Sequence, residues 1–154
     1  MSLFDNIAYQ YRDTFFVFFP LAKRPDAEVV RASLESLREG FNISSIRVEG
    51  PLLKSIAIEC PDDNSGMDVA LVSGDEVRQQ VGDLMKEFKL ITLVGDDLAR
   101  LELLKKCDGR FDILHFGRLD SGDDIDPGGL LLVIQQLSEL TGGIGVDPQS
   151  MSLI

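Results

Sequence analysis

The sequence predicts an α+β fold: a mixed sheet of about five or six strands, with helices mainly on one face. Three observations lead there. Residues 14–21, T-F-F-V-F-F-P-L, are apolar on both sides of an extended chain, with Phe15, Val17 and Phe19 pointing one way and Phe16 and Phe18 the other. Such a strand is covered on both faces. Farther along, short strand-like runs are interleaved with stretches of helical period, and residues 53–72 carry a hairpin pattern.

Taken in order, Leu3, Phe4, Ile7, Ala8 and Tyr11 fall on one helical face, which predicts a short helix over 3–12 capped by Ser2. Pro20 lacks an amide donor and ends the first strand. Lys23-Arg24-Pro25-Asp26 opens a helix whose inner stripe is Val30, Leu34, Leu37 and Phe41, with Gly40 as its stop. Ile43 to Glu49 follows as a strand, so a right-handed parallel crossover is expected. Gly50-Pro51 turns the chain into Leu53–Cys60, where Leu53, Ser55, Ala57 and Glu59 share one face and Lys54, Ile56 and Ile58 the other. The polar run 61–66 and the strand 67–72 complete the hairpin.

Ser73 and Glu76 have capping-box spacing ahead of Val77, Val81, Leu84, Met85 and Phe88. Leu90–Val94 reads as a short strand. A helix follows from Gly95 to about Lys106, then a strand over Phe111–Phe116. Residues 119–126, L-D-S-G-D-D-I-D, form an acidic connector. Asp126-Pro127 begins the most apolar helix, Leu130–Leu140, which Gly142-Gly143 ends. The order of elements is similar to a ferredoxin-like split arrangement with extra C-terminal helices. The whole of 1–154 reads as one globular domain.

The net charge is −11, and its distribution is uneven: residues 1–118 hold all 15 Lys and Arg against 20 acids, whereas 119–154 hold six acids and no base. Such a surface has no basic stripe to displace counterions, which excludes nucleic acid and anionic membrane as expected partners. No run approaches the roughly 20 apolar residues of a membrane span. Two cysteines, Cys60 and Cys107, lie too far apart for a metal motif and fit small buried hydrophobes in a reducing cytoplasm.

Candidate sites are few. His115, the one histidine, lies on a strand face with Phe111 and Ile113; it would be a general base only with a carboxylate and a pocket beside it. Asp112 points to the opposite face, and no partner is visible in the sequence. Lys23 and Arg24, where a strand feeds a helix, suit a small anion. Asp120, Asp123, Asp124 and Asp126 depart from calcium-loop spacing and read as a solvated connector. Ser152-Leu153-Ile154 could add to a sheet edge or tuck onto its own domain. No phosphate loop, nucleophile elbow or zinc motif is present.

The expected function is therefore a non-catalytic protein-interaction or regulatory module, small, acidic and cytoplasmic, with a protein partner or a second copy of itself and no cofactor or metal. A small-molecule sensor using Lys23, Arg24 or the His115 strand is the alternative. An enzyme with His115 as base is the third reading.

Overall fold

The computed structural model describes residues 2–37, 40–90, 95–122 and 124–154. Its centre is the phenylalanine-rich strand β1 (Tyr9–Phe19). Helix α1 (Ala27–Leu37) follows, then strands β2 (Asn42–Glu49), β3 (Leu52–Cys60) and β4 (Ser65–Ser73). Helices α2 (Asp75–Phe88) and α3 (Asp96–Leu104) lead to β5 (Gly109–Arg118); α4 (Gly128–Thr141) leads to β6 (Ile144–Asp147) and the short β7 (Ser152–Leu153). The sheet has seven strands in the order β2-β3-β4-β5-β1-β6-β7, and every strand pair is antiparallel.

This corrects the expected sheet in three ways. It is antiparallel rather than mixed, has seven strands rather than five or six, and does not clearly follow ferredoxin-like order. β1 and β2 are not neighbours: α1 carries the chain from β1 past three strands to the far edge, so no parallel crossover pair forms. The helices also divide between the faces. Phe15, Val17 and Phe19 pack in one cluster with Val30 and Leu34 of α1 and Val133, Ile134 and Leu137 of α4. Phe16 and Phe18 pack in the other, with Val77, Val81 and Phe88 of α2 and Leu101 and Leu104 of α3. The two-faced reading of β1 holds, because alternate side chains meet different helix pairs.

The expected helix over 3–12 does not form. Leu3–Asp5 makes one 3₁₀ turn, in which Ser2 Oγ accepts a hydrogen bond from the Phe4 amide, and the chain is already in β1 at Tyr9. A ladder with β5 outcompetes an isolated short helix. Helical spacing misled here because Phe4, Ile7, Ala8 and Tyr11 are exposed, so their spacing marks no buried stripe. β1 also carries a bulge: register slips between Tyr11 and Asp13, leaving Arg12 as the extra residue. Tyr11 therefore pairs with Phe116 on the α2/α3 face, while Asp13 pairs with His115 on the α1/α4 face. Leu3, Tyr9 and Phe116 close a small third cluster beneath the turn.

The hairpin β3–β4 forms, turning through Pro61–Asp63 and a left-handed Asn64 (φ 55°). The expected faces fail at its start: register slips at Lys54, which is exposed, and Leu53 packs in the core with Ile56 and Ile58 rather than facing outward with Ser55. The capping box at Ser73 does not form; Gly74, at φ 100°, is the residue before α2 and no side chain caps it. The strand expected at Leu90–Val94 lies outside the described residues except for Leu90, which is exposed in a turn. α4 is capped from two sides. Asp126 Oδ1 accepts from the Gly128 amide at 2.8 Å, and the buried carboxylate of Asp63 accepts from the Gly129 amide at 2.9 Å. At its other end Gly142 is left-handed, and Gly143 N donates to Ser138 O at 2.9 Å. Both thiols are buried, and burial pushes Cys107 up to about 11. No described helix is long and apolar enough to cross a membrane.

Candidate functional site

Each sequence candidate is held in a separate structural role. Arg24 donates from Nε to Leu53 O at 2.9 Å and from its terminal nitrogen to Glu49 Oε1 at 2.8 Å. That contact, with Lys54 nearby, holds the Glu49 carboxyl below its usual range. Lys23 projects elsewhere: its Nζ lies against Gly142, at the negative end of α4. The two cations do not converge on one anion site. Of the acidic connector, Asp126 accepts from the Gly128 amide at the start of α4 and Asp120 meets Arg118 Nε at 3.3 Å; Asp123 lies outside the described residues. Among the described residues no three His, Cys, Asp or Glu are grouped to hold a metal ion. Ser152–Leu153 pairs with β6, and Ile154 N donates to Gly145 O at 2.9 Å, so this segment adds to the edge of its own sheet.

His115 has the carboxylate that the sequence concealed. Its Nδ1 lies 3.2 Å from Asp13 Oδ1, across the ladder from β1. The bulge at Arg12 places that acid, which is why spacing alone did not reveal it. The imidazole is buried, and its Nε2 has no hydrogen-bond partner. Ser65 Oγ, fully buried on β4, is also without one. Ser65 pairs with Gly117, two residues from His115 on the same strand. The residue types of a nucleophilic triad are thus gathered, but Ser65 makes no hydrogen bond to His115 and is sealed from solvent. A substrate has no path to it.

Burial lowers the His115 pKa, against the pull of Asp13 and Asp63 and with the help of Arg12. The neutral ring therefore donates from Nδ1 to Asp13. The unfolded chain takes up this proton near 6.5, before the folded protein does. The stability due to neutral His115 is present above that pH and is lost as pH falls toward the folded value. His115→Gln is expected to flatten the fall in urea midpoint between pH 7 and pH 5; an unchanged slope would show that His115 does not set it.

The open surface lies on the other face. Over β2–β3–β4, the side opposite α1 and α4 carries small or polar side chains: Ser45 and Arg47, Ser55 and Ala57, Asp68 and Ala70. A second bulge, at Ser44, keeps Ile43 and Ile46 together on the core side and Ser45 on the open side. The result is a groove of about 400 Å³, bounded by Ser2, Phe4 and Asp5 of the 3₁₀ turn and by Leu114 of β5. That volume lies within the range of ligand-binding clefts, about 300–1,000 Å³. Asp112, paired with Ala70 across the β4–β5 ladder, accepts from buried Arg110, which also donates to Gln80 and lies 4.9 Å over the Phe16 ring. Burial raises the Asp112 carboxyl despite that partner. On the other side, Tyr9 Oη donates to Glu59 at 2.9 Å; burial and that carboxylate push the phenol to about 12.

The 3₁₀ turn is held over the sheet by Asp68. Ser2 Oγ donates to it, and the Leu3 amide lies 3.1 Å from Oδ1. Leu3 packs directly on Gly66: a Cβ there would stand 2.6 Å from Leu3 Cδ1 and 3.0 Å from the Ile58 carbonyl oxygen. Asp68→Ala removes a charged acceptor from two donors and is expected to cost about 1–2 kcal/mol. Faster amide exchange at Leu3–Asn6 would show the turn released; unchanged exchange there would mean that Leu3 packing alone holds it.

No protein-family model, curated protein or solved structure matches the chain.

Proposed function

We propose that this protein is a non-catalytic interaction module that docks a segment of a protein partner on the open face of β2–β4. One observation carries the reading. The sheet is covered on both faces where β1 lies, but over β2–β4 the second face is left to a groove of about 400 Å³. Its floor of Ser55, Ala57 and Ala70 lets another chain approach the backbone closely. The net charge of −11 argues against nucleic acid at this surface. Free buried thiols agree with a cytoplasmic setting.

Self-association through the β2 edge has less support. β2–β3 register slips twice, after Ile43 and after Arg47, and such irregularities oppose edge-to-edge pairing. An enzyme reading based on His115 has little support, given its burial. A small-molecule sensor is the second reading, favoured by the groove's volume; Lys23, Arg24 and His115 do not line that groove.

Ala70→Trp tests the proposal. Ala70 lies half-buried on the groove floor, where an indole fills the space without entering the core. The variant is expected to melt within a few degrees of the natural protein. It is also expected to lose a stoichiometric partner that the natural protein captures from cell extract. A partner retained by the variant would place the docking surface elsewhere, and no partner with either protein would overturn the reading.

A further inference from the structure

We infer that the groove binds a short extended peptide bearing a positive group at one end and a negative group at the other. The inference rests on the docking surface proposed above and names its occupant. Arg47, on β2, and Asp5, on the 3₁₀ turn, both line the groove, and neither forms an ion pair or a side-chain hydrogen bond. The third charge, Asp68, is already committed to Ser2 and Leu3. The groove therefore presents one uncommitted cation and one uncommitted anion. A lone anion would meet the carboxylates at the turn, and a lone cation would meet Arg47. A ligand with both charges satisfies both rims.

The spacing sets the length. The turn is anchored on β4 through Asp68, and Arg47 projects from β2. Strands two places apart are separated by about 10 Å. Three residues of extended chain span about that distance. Between the charges, Ala57 and Ala70 leave room for small side chains, and the hydroxyl of Ser55, across the ladder from Arg47, is placed to share a carboxylate.

Trialanine with free termini is the probe, compared with its N-acetylated and its C-amidated forms and followed by amide NMR shifts of the full chain. Free trialanine is expected to give saturable shifts in 45–57 and 68–70 in the millimolar range, and each blocked form to bind about tenfold more weakly, equivalent to 1.4 kcal/mol. Arg47→Gln is expected to abolish the difference between free and amidated peptide. Asp5→Asn is expected to abolish that between free and acetylated peptide. Both positions are exposed, so both variants keep the fold. Equal binding of all three peptides, or shifts confined to other strands, would overturn the inference. If no peptide binds but Ala70→Trp still strips the captured partner, the occupant is wrong and the docking surface stands. If both tests fail, the surface falls too.

Discussion

Phe18→Ala is expected to lower the unfolding free energy by about 3–5 kcal/mol, enough to leave a small domain close to unfolding. Phe18 has no exposed surface. It pairs with Arg110 of β5 on one side and Ile144 of β6 on the other, so it stands where the sheet is joined across β1. Its ring fills the space beneath α2 and α3, with Phe16 at 5.7 Å edge-on. Truncation leaves a cavity that two helices and two strands would all have to move to close. Phe16→Ala, at a half-buried position, is expected to cost distinctly less. Urea midpoints at constant slope measure both. A loss below about 1 kcal/mol for Phe18→Ala would mean that the cluster can collapse, contrary to this packing.

Gly143→Ala is expected to cost about 3 kcal/mol or more, although it adds a single methyl group. A Cβ at 143 would stand 2.3 Å from the Phe18 carbonyl oxygen, 2.8 Å from Thr141 Oγ1 and 2.9 Å from Phe19 Cβ. The first of these is backbone of the central strand, so relief requires moving β1 or the end of α4. The cost is steric. Gly82→Ala is the opposite case: on the exposed side of α2, nothing lies within 4 Å of the added carbon. There the substitution is expected to stabilise by about 0.5–1 kcal/mol, because alanine favours helix. The same denaturation series reads both signs. A neutral Gly143→Ala would show that the α4–β6 joint is looser than its distances.

These residues also mark how far the sequence could be read. The two-faced pattern of Phe15–Phe19 was legible because strand alternation needs no knowledge of neighbours. The β3–β4 hairpin and α4 were legible as local patterns too, although the slip at Lys54, which puts Leu53 on the core face, was not. Gly143 was legible only as a helix stop; its closeness to Phe18 depends on which strand β6 joins. Sheet order was hidden, because α1 spans three strands and no local pattern records such a distance. The helix expected at 3–12 failed because Phe4, Ile7, Ala8 and Tyr11 stay exposed, so their helical spacing marks no buried face.

The candidate site was half legible. Ser55 and Ala57 alternate with Ile56 and Ile58, which already separates an open face from a core face. That no described helix covers that face is a tertiary fact: α2 and α3 are drawn to Phe16 and Phe18 instead. Asp13 beside His115, and Asp63 at the α4 amides, are long-range pairs that spacing does not encode.

The measurement that bears most directly on the open-face account is hydrogen exchange, read by mass spectrometry, on the protein alone and in its captured stoichiometric complex. Slower exchange in 44–57 and 67–71, with the α1 and α4 segments unchanged, is the predicted result. Protection confined to α1 and α4, with β2–β4 exchanging as in the free protein, would contradict it.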